Sequence, residues 1–287
     1  MVSEDCDEHV IEAIGRCRVV IRNGEVVEVG EPQIGDCPLA KRFAVPVKEF
    51  SKEAIQANIE HRIRAFGMCT PRREVLADED FVGFGASELL SSAMRGGLID
   101  AAVLASDGAG TVVVTTPRMI QGIGGRMSGL VSTTPLREVM DRIEKHGGFV
   151  LDHATAKLDQ PAGVRLAVKK GFHRIAVTVA GAETAEIIRR ENPDALIFVV
   201  HTSGLSADEA RRLAATADLV TGCASKNVRE IIGPRALLQA GAAIPIFALT
   251  VRGKEVIARR IVESAATIFL KGEKLPVVGS GQPGPLI

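Results

Sequence analysis

The 287-residue sequence has no tryptophan, no tyrosine and only ten phenylalanines. Aromatic platforms of the kind that stack against single-stranded nucleic acid are therefore scarce. Neither charge is in excess, since 35 Lys and Arg balance 35 Asp and Glu. Phosphate backbones are held by clustered cations, so no nucleic-acid partner is expected. No apolar run reaches the length of a membrane span. The longest, such as "ALIFVV" and "IPIFAL", are strand-sized, and no membrane partner is expected. The first residues, "MVSEDCDEHV", are acidic and polar rather than signal-like, so the expected location is cytoplasmic.

Standard catalytic signatures are missing too. There is no Gly-Lys-Ser/Thr of a P-loop, no His-Glu-x-x-His, no Gly-x-Ser-x-Gly and no Cys-x-x-Cys. Five cysteines, an odd number in a large chain without a signal, argue against a disulfide framework. They leave metal binding, catalysis or simple packing.

What the sequence does have is a hydrophobic fraction of 46%, enough for a large core. "RVVIR" and "EVVEV" flank Asn23-Gly24, the favoured centre of a two-residue hairpin turn. Plain outward pairing from Arg22 and Glu25 sets Cys17 opposite Gly30. A helix is expected over about Lys52 to Phe66, capped by Ser51, with Ile55, Ile59, Ile63 and Phe66 as its apolar stripe and Gly67 as its stop. From about residue 85, strand-like runs ("AAVLAS", "TVVVTT", "FVLD", "RIAVTVA", "ALIFVVHT", "ADLVTG", "IPIFALT") mostly alternate with helical ones. The helical runs include "NVREIIGPRALLQAG" and a final helix from about Lys254 to Leu270. A capping box is read at Ser206 and Glu209.

The expected fold is α/β: a mostly parallel sheet with helices on both faces, preceded by a small N-terminal β-hairpin plus helix subdomain. The expected division is 1–84 for that subdomain, 85–272 for the α/β body and 273–287 for a poorly ordered Gly/Pro-rich tail.

Ligands of open parallel sheets bind outside the carboxyl ends of the strands. Catalytic candidates on that edge are Asp107, Asp152, His201, Cys223 and Lys226. His153, Thr202, Ser203 and Ser225 lie beside them, and capping of the next helix is the bland role for such residues. Two glycine-rich stretches, with Gly108 and Gly110 and then Gly122, Gly124 and Gly125 beside Arg126, offer backbone N–H groups and a cation to an anionic small molecule. A flexible turn is the alternative. Cys17, Cys37 and Cys69 lie next to turns or stops. With Cys223 they are candidate ligands of an iron–sulfur cluster, or of zinc as the alternative, although their wide spacing matches no compact motif. Each also reads as a small buried apolar residue. His9, His61, His146 and His173 are expected to be solvated.

The stretches "DEHVIEAIGRCRVVIRNGEVVEVGEPQIGDCPL", "FGMCTPRREV", "DGAGTVVVTTPRMIQGIGGRMSGLVSTTP" and "TAKLDQPAGVRLAVKKGFHRIAVTVA" together resemble methanogenesis marker protein 8, a family of methane-forming archaea. The similarity runs from about Asp7 to near residue 270. It implies a cytoplasmic protein of an anaerobe that supports methyl-coenzyme M reductase or its maturation proteins. An anaerobic setting favours the iron–sulfur reading of the cysteines. The resemblance assigns no residue a role. Three functions follow as expectations: a metal-binding accessory protein, an enzyme acting on an anionic small molecule or coenzyme precursor, and a non-catalytic scaffold. A homo-oligomer is compatible with each.

Overall fold

The computed structural model describes residues 7–127 and 129–287. Two sheets organise it. The small one is built from β1 (Glu8–Ala13), β2 (Cys17–Arg22), β3 (Glu25–Val29) and, from far along the chain, β6 (Gly129–Thr133), in the order β3-β2-β1-β6. All its pairings are antiparallel. Its inner face carries Ile11, Ala13, Cys17, Val19 and Ile21. These pack on Ile55, Ile59 and Ile63 of helix α1 (Lys52–Phe66). Ser51 caps that helix by accepting the Ala54 N–H, and Gly67 ends it at φ 73°, where a side chain would be strained.

The expected hairpin register slips by one residue. A bulge between Val20 and Ile21 lets Arg22 face Glu25 while Val19 faces Val29. The Gly30 N–H consequently bonds to the Arg18 carbonyl.

The large sheet uses β4 (Ala101–Ser106), β5 (Gly110–Val114), β7 (Phe149–Val150), β8 (Ile175–Val179), β9 (Leu196–Val199), β10 (Leu219–Thr221), β11 (Leu238–Ala240) and β12 (Ile246–Ala248). Their order is β11-β12-β10-β9-β8-β4-β5-β7. All seven strand-like runs named from the sequence are strands here. The expectation of a mostly parallel sheet is corrected to a mixed one. Only β10, β9, β8 and β4 run parallel to their neighbours. The flanking pairs are antiparallel. The reason is local: the turn Asp107–Ala109 is too short for a crossover helix, so β5 must fold straight back on β4.

Helices cover both faces. On one side lie α2 (Ala86–Arg95), α3 (Pro117–Met119), α4 (Arg137–Lys145) and α8 (Val251–Glu263). On the other lie α5 (Gln160–Lys169), α6 (Ala182–Glu191) and α7 (Ala207–Thr216), which the Ser206–Glu209 capping box opens. Two helical expectations fail. "NVREIIGPRALLQAG" forms a wide turn over Val228–Ile232 and a 3-10 turn over Gly233–Arg235, then strand β11. Pro234 removes a backbone donor at that point. Helix α8 stops at Glu263 rather than near Leu270.

The expected division of the chain meets two observations. The small sheet takes β6 from beyond residue 85. Residues from 276 onward lie along the body: Asp36 bridges Gly284, and the Ile287 N–H bonds to the Ala224 carbonyl. No helix among the described residues is long and apolar enough to cross a membrane.

Candidate functional site at the carboxyl edge

The parallel core sets the ends of β4, β9 and β10 on one edge, with Asp107 after β4, His201 to Ser203 after β9 and Cys223 after β10. The small sheet lies over this edge. A Cβ built on Gly129 of β6 would stand 3.4 Å from His201 Nδ1. Two cysteine-containing centres result.

The first is a sealed seam around Asp107. The tight β4–β5 turn is possible because Gly108 and Gly110 both adopt positive φ, and a Cβ at Gly110 would meet the Ala156 carbonyl oxygen at 2.1 Å. The turn aims the Asp107 carboxylate inward. It accepts Arg73 Nε at 2.9 Å and the Cys69 N–H at 2.6 Å. Both side chains of the ion pair are fully buried. Arg73 also donates to the carbonyls of Glu74, Gly122 and Ile123, so its guanidinium is well supplied with acceptors. Burial alone would raise the Asp107 carboxyl, but Arg73, the Cys69 N–H and His9 together hold it below the ordinary carboxylate value.

His9 enters the seam from β1, where it shares a face with Ile11 and Ala13. The expectation that it is solvated is overturned, since its exposure is 0%. Its Nδ1 lies 2.6 Å from Thr133 Oγ1, and that oxygen accepts the Gly108 N–H. Its Nε2 is buried without a hydrogen-bond partner. Burial lowers the His9 pKa, with the charge of Asp107 opposing, so the ring is neutral at pH 7. Burial likewise pushes the Cys69 thiol well above its ordinary range, and the Asp107 charge adds to this. Cys69 sits at φ 56°, a left-handed backbone that a non-glycine residue adopts at a cost. Three guanidiniums, from Arg62, Arg73 and Arg126, lie 5.1 to 5.8 Å from the centroid of the Phe66 ring. Desolvation, with the like charge of Arg73, lowers Arg62 to about 10.

The second centre surrounds Cys223, three strand steps across the sheet from β4, or roughly 14 Å at the usual strand spacing. Cys223 and His201 both hold positive φ. Arg229 donates to the carbonyls of Gly222, Cys223, Ser225 and Ala243 and so fixes the loop. His201 keeps solvent access, although the protein around it lowers its pKa by desolvation. Lys226 is exposed and lies 3.9 Å from Glu230. Asp152 closes its own turn by accepting the N–H groups of Ala154 and Thr155, and His153 pairs with Glu144.

The four candidate thiol ligands do not form one set. Cys17 is enclosed in the small-sheet core, where its thiol reaches the Gly30 carbonyl at 3.1 Å. Cys69 packs in the same cluster while its N–H bonds to Asp107, and Cys37 lies on a separate segment that Asp36 ties to Gly284. Among the described residues, no three His, Cys, Asp or Glu side chains are grouped to hold a metal ion. The second glycine stretch is not an open anion loop either. It forms a turn over Ile120–Gly124 in which Gly122 presses on the Val75 backbone, while the Gly125 N–H bonds to Gln121. Arg126 is paired with Glu74 at 2.8 Å.

Sequence reading missed His9, Arg73, Arg62 and Thr133. The signal for His9 was the alternation in "EHVIEA", which places it on the apolar face of a strand. Two surface depressions lie elsewhere. One of about 390 Å³ is at the amino ends of β8 and β9, beside Arg174 and Arg252. One of about 220 Å³ lies beside Asp78, Arg118 and Gln121. Neither borders a cysteine.

The pattern of a family described as "Uncharacterized protein conserved in archaea (DUF2099)" matches residues 9–262. An uncharacterized protein of Methanocaldococcus jannaschii is 44% identical over 284 residues, covering 98% of this chain and 100% of the relative. The matched span includes His9, Cys69, Arg73, Asp107, Cys223 and both sheets. The chain therefore belongs to this archaeal DUF2099 family.

Proposed function

We propose that the protein is an accessory factor of methane-forming metabolism that acts on a small anionic molecule at the Asp107 seam. The metabolic setting comes from the resemblance to methanogenesis marker protein 8. The chemistry comes from the seam. One observation carries it: His9 Nε2 is fully buried and has no partner. Leaving a buried polar atom unpaired costs about 1–3 kcal/mol, and such atoms in native proteins call for an explanation. In the tautomer that places the proton on Nδ1, Thr133 accepts from both His9 and Gly108, and Nε2 presents a lone pair. A neutral imidazole of this kind suits a proton acceptor.

Cys69 supplies a thiol beside the same carboxylate. Arg62, Arg73 and Arg126 gather at the Phe66 ring, and although Asp107 and Glu74 pair with two of them, three cations against these two carboxylates leave the locality biased towards an anion. Entry requires the seam to open. The β1–β6 pairing is already irregular between Val10 and Ile11, next to His9.

The test is a thermal-shift and calorimetric screen of small carboxylates, phosphates and sulfonates. A ligand is expected whose affinity falls at least about tenfold in Arg62→Gln. His9→Gln should retain binding yet lose any turnover. If Arg62→Gln and Arg126→Gln leave every detected affinity unchanged, this reading is wrong.

A further inference from the structure

Independently of the seam, we infer that the depression of about 220 Å³ beside Gln121 is a binding site for a small α-amino acid, taken up as its zwitterion. Two distant segments meet there. The Ala77 N–H bonds to the Arg118 carbonyl, which sets Asp78 and Asp80 against helix α3 and the turn after it. Gln121 stands in that turn and is only 3% exposed. Its inner neighbour is Glu88, from the first turn of α2, which is buried as well. A Cβ at Gly85 would lie 2.3 Å from Glu88 Oε2, so the glycine leaves room for this carboxyl group to fold back on the start of its own helix. Glu88 Oε1 accepts the N–H groups of Phe81 and Val82, and Gln121 Nε2 at 2.9 Å. An oxygen that already accepts two backbone donors takes a further donor, which fixes the Gln121 amide with its nitrogen towards Glu88. Gln121 Oε1 is thereby left buried, without a hydrogen-bond partner.

A buried acceptor that lacks a donor points to a ligand that brings one. Asp78 and Asp80 line the same depression, and carboxylates beside an amide oxygen select a cationic donor, an ammonium group. Arg95 and Arg118 line it too. Their guanidiniums repel a bare metal ion and suit a carboxylate, which each can grip through two parallel N–H groups. A molecule that carries both an ammonium and a carboxylate matches both halves of this wall. Entry requires one ion pair to open. Asp78 meets Arg118 at 2.7 Å, but both side chains are more than half exposed, and a surface pair of this kind contributes little. The ligand's ammonium then donates to Asp78 and to Gln121 Oε1, and its carboxylate accepts from Arg118. Asp80 stays on Arg260 at 2.8 Å and Arg95 on Glu263 at 3.0 Å, which hold the rest of the wall in place. The volume is below the roughly 300 Å³ at which pockets for drug-sized ligands begin, so the amino acid has a short side chain.

The test is calorimetric titration of the full chain with glycine, L-alanine and L-serine, and with propionate and ethylamine, each of which lacks one of alanine's two charged groups. One of the amino acids should bind, and the two single-charge compounds should bind at least about tenfold more weakly than it. Asp78→Asn and Arg118→Gln change exposed side chains. Each should lower that affinity at least about tenfold while leaving the unfolding midpoint in place. Gln121→Met keeps the length of the side chain, removes the acceptor and should abolish binding. Because it also takes a donor from buried Glu88, the two surface variants decide the matter if it does not fold. Arg62→Gln, which bears on the seam, should leave the amino-acid affinity unchanged. The inference is overturned if none of the three amino acids binds, if propionate or ethylamine binds as tightly, or if the affinity survives both Asp78→Asn and Arg118→Gln. It is overturned too if Arg62→Gln weakens binding and these two variants do not.

Discussion

The seam at Asp107 and the loop cluster at Cys223 occupy the same edge of one sheet, and they use buried charge in opposite ways. At the seam, Arg73 is spent on a carboxylate and three carbonyls, and the small sheet seals the group from water. At Cys223, Arg229 has no carboxylate among its hydrogen-bond partners and instead gathers three carbonyls of that loop and the Ala243 carbonyl of the β11–β12 turn, leaving a thiol at the border of solvent. A sealed ion pair fixes two sheets against each other. A carbonyl-bound guanidinium shapes a loop and lends its charge to the sulfur beside it. The difference leaves the first centre closed until the small sheet opens and the second half-exposed at all times.

The sharpest way to break this comparison is to remove one charge. Asp107→Ala leaves Arg73 buried without its partner and should cost about 3–5 kcal/mol in denaturant unfolding. Cys223→Ser, on the other side, should cost under about 1.5 kcal/mol, since it removes no ion pair. Similar losses at both positions would mean that the seam is not the mechanical joint. A second probe is access. Native-state alkylation of Cys37 and Cys223 should outpace that of Cys17 and Cys69 by at least about tenfold, because the latter pair react only after local opening. Equal rates would erase the distinction between a sealed and an open centre.

The seam also has a pH signature. Burial lowers His9 below its unfolded value of 6.5. The unfolded chain therefore takes up the proton first. The stability that neutral His9 contributes is complete above about pH 6.5 and is lost as pH falls from there through the lowered folded value. The denaturant midpoint should fall between pH 7.5 and pH 5.5, and His9→Gln should flatten part of that slope. His201, lowered by desolvation as well, contributes in the same direction, so His201→Gln should remove a separate share. A slope untouched by His9→Gln would remove His9 from the buried neutral state.

Much of this architecture could be read from the chain. Periodicity placed helix α1, its caps and seven strands, because those signals are local. The strand readings also put Asp107, His201 and Cys223 after strand carboxyl ends, and they lie after β4, β9 and β10. The mixed direction of the sheet was hidden in one short turn at Asp107–Ala109. The tie that residues 284–287 make between Asp36 and Ala224 was hidden as well, because composition alone marks them as a loose tail. His9 was hidden by its polarity, though its neighbours Ile11 and Ala13 declared the buried face. Arg73 was hidden because nothing local distinguishes a buried arginine from the exposed Arg72 beside it. What sequence pattern could not supply in each case was a contact between distant segments.

The smallest expected effect concerns Lys226, the candidate nearest to Cys223 in sequence. Its side chain is 63% exposed, and its 3.9 Å approach to Glu230 is a surface pair on neighbouring turns. Such pairs contribute at most about 0.5 kcal/mol, so Lys226→Ala should leave the unfolding midpoint almost unmoved. Its backbone N–H, not its ammonium, touches Ile287. The substitution keeps that hydrogen bond, and with it the tie between the Cys223 loop and Ile287. Alkylation rates of Cys37 and Cys223 should therefore match those of the unaltered protein. A rate change confined to Cys223 would instead show that the ammonium acts on the sulfur, placing Lys226 beside Arg229 in opposing the effect of burial on this thiol.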